Sequence, residues 1–294
     1  MDALNQLLAT FRLKTDVINN AQYCGDWAID TSGTGKASFH IIAHADCYIR
    51  SDDLGETIAL ETGDCVLFPR DSKHLLSNVR DCNLRANQQS AVSYEDGLQD
   101  DGVGLICGYF HFKQGAATAL LEVLPDALVI QRRQADASVT TLLDLMIRES
   151  LKTSAGTEAV VDRLAEALFV IILKDFIEKS DEASGLAAAL RDPKIHKALV
   201  ALQAEPEAKW SVDKLAEFAA MSRSAFADRF KALLGESPME YLARWRMQIA
   251  YNLLNEENLT VLEVAARCGY DSESAFAKAF KRVIGVGPGA VRRS

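Results

Sequence analysis

The sequence predicts an α+β protein of several domains: a front part built of strands, a helical segment in the middle, and an all-helical domain with two helix-turn-helix modules at the end. Three observations support this fold class. Short β-type runs fill residues 37–112, apolar residues recur at helical spacing within residues 136–180, and residues 211–288 contain one pattern twice. A chain of 294 residues is long enough for two domains.

The front part contains short runs rich in β-branched and aromatic residues, separated by Gly, Asp and Pro, which is typical of strands joined by turns. These runs are residues 37–42, 46–50, 57–60, 64–68 and 104–112. Many short strands with frequent turns indicate a sandwich or a small barrel. Residues 81–102 are polar and are expected to form a long loop.

One stretch of the front part resembles a known motif. Four residues fit the second motif of the cupin family: Gly63, Pro69, His74 and Asn78. Asp71 stands where that motif has glycine. The resemblance implies a cupin-like β-barrel over residues 1–135, of the type that serves as a sensor domain, with His74 pointing into the barrel.

Residues 136–180 are predicted to form two helices, because apolar residues recur at helical spacing in residues 139–146 and again in 160–176. The second helix is more apolar than a helix with one exposed face needs to be. It is therefore expected to pack on the barrel and on a second copy of the chain, as a dimerisation segment of a homodimer. Burial within a single chain fits the pattern equally well. Residues 181–190 are predicted to be a linker.

The last third of the chain repeats one pattern at an offset of fifty residues. Residues 222–230 (SRSAFADRF) correspond to residues 272–280 (SESAFAKAF), and each copy continues into a glycine and then a proline. The leading serine of each copy is predicted to cap a helix, and two phenylalanines four residues apart give that helix a one-sided apolar stripe. A short helix, a turn and a second helix with a free polar face form a helix-turn-helix.

Residues 237–254, between the two copies, are predicted to form one long helix with Pro238 in its first turn. About 17 residues at 1.5 Å each span roughly 25 Å. With the width of each module added, this places two recognition helices in successive major grooves, about 34 Å apart. A stacked helical-hairpin repeat is the alternative, but such solenoids usually need three or more units.

The linker helix and the modules resemble the AraC/XylS family of bacterial transcription regulators over about residues 190–290. The residues that carry the resemblance are Arg246, Ala250, Leu253, Leu254, Ala265, Gly269, Tyr270, Ser274, Phe276, Phe280, Gly285 and Pro288. The resemblance implies a seven-helix DNA-binding domain over residues 191–294, with double-stranded promoter DNA and RNA polymerase as partners. It also implies that a subset of such regulators carries a cupin-type sensor in front.

The same resemblance implies which side chains face the DNA bases. They are Arg223, Ser224, Ala227 and Asp228 in the first module and Glu273, Ser274, Ala277 and Lys278 in the second. Basic residues expected near phosphates are Lys231, Lys278, Lys281, Arg282, Arg292 and Arg293. Direct readout is expected to be modest, because Ala227, Asp228 and Ala277 offer no bidentate donor to a purine.

The charge of the chain is divided between its parts. The net charge of −9 alone argues against a nucleic-acid partner. However, residues 191–294 hold 16 Lys and Arg against 13 Asp and Glu, whereas residues 1–190 hold 16 against 28. The mildly basic end is compatible with DNA binding and also with an ordinary solvated surface, so the repeat carries more weight than the charge.

Three histidines are predicted to line a small-molecule pocket in the barrel: His40, His74 and His111. They lie at strand positions with apolar neighbours, where a buried polar side chain requires a hydrogen-bond partner. Arg50 and Arg70 are further candidates. The predicted function is a transcription regulator whose barrel senses a small molecule or an oxidant and alters promoter binding.

No cofactor is predicted. Cupin enzymes hold their metal through a His-x-His pair, a Glu and a further His, whereas His40 and His44 lie four positions apart and about 13 Å apart along a strand. His40, His74 and His111 could still converge on a metal. A metal-dependent cupin enzyme, a dioxygenase or isomerase fused to a DNA-binding domain, is accordingly the alternative function.

Cys24 and Cys107 are candidates for the sensing of an oxidant, because each precedes a glycine that permits close approach. A space-filling role is the alternative for both. Cys47, Cys65 and Cys268 lie in apolar patterns that indicate inert burial. Cys82 completes the six, which show no metal-type CxxC pairing and are expected to stay reduced.

No apolar run approaches the 18 residues of a membrane span, and the first residues lack the pattern of a signal peptide. The sequence therefore predicts a cytoplasmic protein with no membrane partner.

Overall fold

The computed structural model describes residues 3–11, 13–81, 102–112, 121, 123–152, 154–179, 185–256 and 259–291. Nearly all of the predicted loop at 81–102, with Cys82, lies outside these residues, as do Arg292, Arg293 and residues 181–184 of the predicted linker. The chain forms two units. One comprises residues 13–112 and 124–176, and the other comprises residues 1–12, 113–123 and 177–294.

The first unit contains two antiparallel sheets. Its strands are β1 (Lys14–Tyr23), β2 (Ala28–Ile29), β3 (Ala37–His44), β4 (Cys47–Ser51), β5 (Ile58–Leu60), β6 (Cys65–Phe68), β7 (His74–Ser77), β8 (Val103–His111) and β9 (Leu128–Ile130). The order is β1-β8-β3-β6-β9 in one sheet and β2-β7-β4-β5 in the other. This arrangement agrees with the predicted cupin-like β-barrel, and the five predicted runs correspond to β3, β4, β5, β6 and β8.

Alternating residues of the two sheets form one apolar core. In β4, for example, Cys47 and Ile49 are buried while Arg50, which follows Ile49, is exposed, as the period of two along a strand requires. The core of the first unit is formed by Tyr23, Trp27, Ile29, Ile42, Cys47, Ile49, Leu60, Val66, Phe68, Leu76, Val103, Leu105 and Cys107. A polar side chain buried beside this apolar core therefore requires a hydrogen-bond partner.

Both predicted helices of the middle segment are present as α2 (Ala137–Ser150) and α3 (Thr157–Lys179). Asp136 caps α2 by accepting a hydrogen bond from the amide of Ser138 at 2.8 Å. None of the described helices is both long enough and apolar enough to span a membrane.

The second unit is helical within its described residues. Its helices are α1 (Ala3–Phe11), α4 (Gly185–Arg191), α5 (Pro193–Ala204), α6 (Val212–Phe218), α7 (Arg223–Leu234), α8 (Pro238–Glu256), α9 (Val261–Arg267), α10 (Glu273–Ile284) and α11 (Pro288–Val291). Across the described part of residues 193–291 the helices α5 to α11 number seven, as the AraC/XylS resemblance implied.

Two boundaries differ from the prediction. Helix α4 occupies most of the segment predicted as a linker at 181–190, because Leu186, Ala187 and Ala189 are buried and the helix packs on α7. Helix α1 was assigned to the front domain at 1–135, but Ala3 and Leu7 are buried and α1 packs on α5 in the helical unit.

Candidate DNA-binding surface and barrel pocket

Each recognition helix, α7 and α10, is defined by the same pair of caps. The hydroxyl of Ser222 accepts from the amide of Ala225, and the hydroxyl of Ser272 accepts from the amide of Ala275. Both helices end at a glycine in the left-handed conformation. A capping box of Thr260 and Glu263 is present at the start of α9.

The turn between the two helices of each module requires one residue with positive φ. Gly269 supplies it in the second module, with φ of +73°, and a side chain there would lie 2.6 Å from the carbonyl oxygen of Glu207. Ala220 occupies the equivalent place in the first module, with φ of +49°. The first module therefore accepts a conformation that costs energy for any residue with a Cβ.

The apolar face of each recognition helix is buried and the opposite face is free. Phe226, Phe230, Phe276 and Phe280 are fully buried. Most residues expected to contact DNA are exposed: Arg223, Ser224, Asp228, Lys231, Glu273, Ser274, Lys278, Lys281 and Arg282. Ala227 and Ala277 are half-buried on the same face. The structure thus brings the predicted base-facing residues, together with Lys231, Lys278, Lys281 and Arg282, onto two accessible helix faces.

Arg246 of the long helix α8 fixes the loop that precedes the first module. Its Nε donates to the carbonyl of Pro206 at 2.6 Å, its Nη2 donates to the carbonyl of Ala208 at 3.0 Å, and its guanidinium lies over the ring of Tyr270. The sequence marked Arg246 only as part of a family resemblance. Its side chain joins residues on both sides of the linker helix, so it holds the two modules to one scaffold.

Asp192 is a second structural residue that the sequence did not single out. Its carboxylate caps α5 by accepting from the amides of Lys194 and Ile195, each at 2.9 Å, and it accepts from Nε of Arg229 at 2.6 Å. Burial raises the pKa of Asp192, but these hydrogen bonds lower it by more, so the net pKa lies below its usual value. Arg229 is therefore tied to the scaffold.

In the barrel, two predicted pocket residues meet. His40 and His74 are buried, and their Nε2 atoms lie 2.9 Å apart. The hydroxyl of Thr31 lies 3.0 Å from Nε2 of His74 and 3.3 Å from Nε2 of His40. The ring of His74 stacks on Phe68 at a centroid distance of 3.9 Å. The three polar groups converge on one point in the barrel unit.

The protonation of this pair follows from one hydrogen bond. Nδ1 of His74 lies 2.7 Å from the carbonyl of Ser72, so Nδ1 carries the proton and donates it, which leaves Nε2 as an acceptor for N–H of His40. Nδ1 of His40 then has no hydrogen-bond partner among the described residues. Burial lowers the pKa of both histidines, so both are neutral near pH 7.

A cavity of about 500 Å³ opens beside His74. It is lined by Asp30, Arg50, Ser51, Asp52, Lys73, His74 and Leu75. A smaller crevice of about 210 Å³ lies where β9 meets α2 and α3. Only the larger of these two adjoins the buried histidine pair, which makes it the better candidate for a site that recognises a polar molecule.

The other predicted pocket residues lie elsewhere. His111 does not join the pair: its Nε2 lies 2.7 Å from Asp16, and it is four positions along β8 from Cys107, the residue that faces His40. Arg70 donates to Asp126 and to the carbonyl of Leu124. The structure thus groups His40, His74 and Arg50, and separates them from His111 and Arg70.

Among the described residues there is no group of three His, Cys, Asp or Glu side chains placed to hold a metal ion. The cysteines predicted to be inert are buried: Cys47, Cys65 and Cys268. Burial raises the pKa of Cys268 to about 12 and those of Cys47 and Cys65 further. Of the two redox candidates, Cys107 is buried and Cys24 is half-buried.

Comparison with known proteins gives two family matches. A cupin model matches residues 2–178, and a helix-turn-helix domain model matches residues 215–294. An AraC-like transcription regulator of Streptomyces lividans is 33% identical, over 100% of this chain and 98% of that protein. The HTH-type transcriptional regulator AlkR of Acinetobacter baylyi is 30% identical, over 96% of each chain. Among solved structures, the DNA-binding domain of AdpA in complex with a target DNA is 37% identical and covers 35% of this chain and 91% of that one, with a TM-score of 0.33.

Proposed function

Because the chain belongs to the AraC family of transcription regulators, we propose that it binds two half-sites of promoter DNA with α7 and α10 and that a small polar molecule in the barrel changes this binding. The observation that supports the DNA part is the repeated pair of capped helices with an exposed polar face. The full-length relatives are transcription regulators, so the cupin enzyme considered as the alternative has no support from them. A regulator of bacterial promoters acts in the cytoplasm.

The first prediction concerns phosphate contacts. Replacing both Lys231 and Lys281, which are exposed at equivalent positions of α7 and α10, by Ala should weaken binding of the full chain to its operator and should reduce the slope of log affinity against log salt by about 2, because each lysine that neutralises a phosphate releases about one counterion. Fluorescence anisotropy over a series of salt concentrations measures both quantities.

A matched control changes the same charge elsewhere. Lys14 and Lys152 are exposed lysines of the barrel unit, and their replacement by Ala should leave the salt slope unchanged. A footprint of the wild-type chain should show protection on one face over about two helical turns. If no duplex is protected, or binding does not depend on salt, the DNA part of the proposal is wrong.

The barrel part is supported by the polar cluster beneath the larger cavity. The buried His40 and His74 contact the half-buried Thr31. Arg50 and Lys73 place positive charge at the cavity, and Asp30 and Asp52 place negative charge there. The lining of this cavity is mostly polar and charged, so a ligand there would be recognised through hydrogen bonds and charge. The ligand class that fits is a small polar molecule able to accept and donate hydrogen bonds.

The second prediction tests this site with exposed Arg50. A panel of small carboxylates, amino acids and sugars is screened for compounds that raise the melting temperature of the full chain. A compound that binds the cavity should lose this effect in Arg50→Gln, since the charge at the rim is gone, and should retain it in Arg80→Gln, an exposed arginine outside the cavity. His74→Asn should abolish the effect of the compound on operator binding.

An oxidant is the other signal we consider, with Cys24 and Cys107 as its targets. Cys24, the more exposed of the two, offers the better access to an oxidant, because Cys107 is 1% exposed. In the same screen, mild oxidation that alters operator binding in the wild type but not in Cys24→Ser would favour the oxidant. If both Cys24→Ser and Cys107→Ser keep the response, neither cysteine is the target and the oxidant proposal is wrong.

We also propose that the chain forms a homodimer through α3. Val160 is 44% exposed, and Leu164, Ala167 and Ile171 follow it at helical spacing on the same side with part of their surface open. Such a stripe suits a second copy of the same helix.

RNA polymerase remains a partner proposed from the family alone. No resident cofactor is proposed, since His111 lies away from His40 and His74.

A further inference from the structure

The two recognition helices match position by position. Each has twelve residues, begins after a capping serine and ends at a left-handed glycine. Each buries two phenylalanines four residues apart. Residues fifty apart in sequence therefore occupy equivalent places in α7 and α10, and their chemistry can be compared directly.

At five positions of the free face, the two helices agree at three and have opposite charges at two. The identical pairs are Ser224 and Ser274, Ala227 and Ala277, and Lys231 and Lys281. The reversed pairs are Arg223 with Glu273 and Asp228 with Lys278. All four charged side chains of the reversed pairs belong to exposed residues. Within the described part of the chain, no hydrogen bond or ion pair engages the side chain of Asp228, Glu273 or Lys278.

The reversed positions lie where side chains reach base edges. Residues near the N-terminus of a recognition helix contact the bases of the major groove. There, Arg and Lys donate to O6 and N7 of guanine, whereas Asp and Glu accept from N4 of cytosine. A carboxylate in this position repels phosphates. A hydrogen bond from N4 of cytosine would offset that repulsion.

We propose that these two pairs set operator specificity and that one chain binds two half-sites of opposite G·C polarity. In the first module, Arg223 reads guanine and Asp228 reads cytosine on the contacted strand. In the second module, Glu273 reads cytosine and Lys278 reads guanine. The two positions lie about 7.5 Å apart along each helix, which corresponds to about two base pairs. This inference rests on the proposed binding of promoter DNA by α7 and α10.

Asp213 acts as a positioning residue for the first module. Its carboxylate accepts from Nη1 of Arg223 at 3.0 Å, which favours one orientation of the guanidinium over the free face. The first helices of the two modules begin after the caps Ser211 and Thr260, which are 49 residues apart, so the equivalent of Asp213 is Leu262, which bears no charge. The first module therefore directs its arginine, whereas Leu262 cannot form an ion pair with Glu273, the equivalent of Arg223.

The experiment selects operators from random duplexes with the full chain and then repeats the selection with two variants. One is Arg223→Glu with Asp228→Lys, and the other is Glu273→Arg with Lys278→Asp. Neither double change alters the net charge, so non-specific attraction to phosphate stays the same. Each swapped module should prefer the half-site of the other module, with a change of about 5- to 150-fold at each altered base pair.

The first swap places a new carboxylate beside Asp213, and repulsion between the two could disturb that module. The second swap avoids this effect, because Leu262 bears no charge.

Asp228→Ala distinguishes base readout from repulsion of phosphate: loss of preference at one base pair supports the proposal. Equal strengthening of binding to every sequence would mean that Asp228 only repels phosphate, and it would overturn the proposal. The proposal would also be overturned if both double variants selected the wild-type operator. Absence of any salt-dependent DNA binding would instead contradict the proposed function itself.

Discussion

At the scale of single residues, the two turns of the helix-turn-helix modules use different solutions to one geometric demand. Gly269 adopts its positive φ without strain and also allows the backbone of Glu207 to approach. Ala220 adopts a similar conformation at the cost of a Cβ in the left-handed region. Ala220 is exposed, so its methyl group contributes little packing in return.

The resulting prediction is a pair of opposite effects. Ala220→Gly should stabilise the helical unit by about 1 kcal/mol, because the strain is removed and no contact is lost. Gly269→Ala should destabilise it by about 2 kcal/mol or more, since the new methyl group would meet the carbonyl of Glu207. Urea denaturation of the full chain measures both.

Ala232→Gly serves as the control for the first change. It lies within α7 and is exposed, and there glycine should cost about 1 kcal/mol. A gain in stability from Ala232→Gly, or a loss from Ala220→Gly, would contradict the account of the turn.

At the scale of elements, the sequence predicted those whose pattern is local. The helices α7, α8 and α10 were found because caps, a proline and a one-sided apolar stripe mark them. Strand β1 was missed because its sequence, KTDVINNAQY, mixes polar and apolar residues without clear alternation, and its pairing with β8 was not readable locally. Helix α4 was missed because the acidic and serine-containing residues before it indicated a linker.

The candidate site was predictable to the same extent. The exposed face of each recognition helix follows from the helical period alone, and the charge reversal between the two helices follows from aligning the two copies of the repeat. The meeting of His40 with His74 depends on strands β3 and β7 of different sheets, so the sequence could name the histidines but not select two of three. The roles of Arg246 and Asp192 depend on contacts across 37 to 40 residues of chain, between elements whose packing the sequence did not define.

At the scale of the whole molecule, the two units carry different titratable groups in their interiors. The barrel buries His40 and His74 in neutral form. Burial lowers the pKa of His74, although the carbonyl of Ser72 and the charges of Asp30 and Asp71 partly oppose this. In the helical unit, burial raises the pKa of Asp192, but its hydrogen bonds with Ile195 and Arg229 bring the net pKa below its usual value. The two units should therefore respond to acid over different pH ranges.

The last prediction follows from the sign of each shift. Below about pH 6.5 the unfolded barrel binds protons that the folded barrel does not, so the free energy of unfolding of the barrel should fall by up to about 1.4 kcal/mol per pH unit for each histidine. The ionised form of Asp192 is favoured by folding, so its contribution persists at pH 5 and is lost only below about pH 4. Calorimetry of the full chain at pH 7.5 and pH 5.0 should show one transition that moves to lower temperature and one that moves little. His40→Gln removes one titrating group and should reduce the movement of the first transition. Equal movement of both transitions, or an unchanged shift in His40→Gln, would show that the buried histidine pair does not govern the acid response.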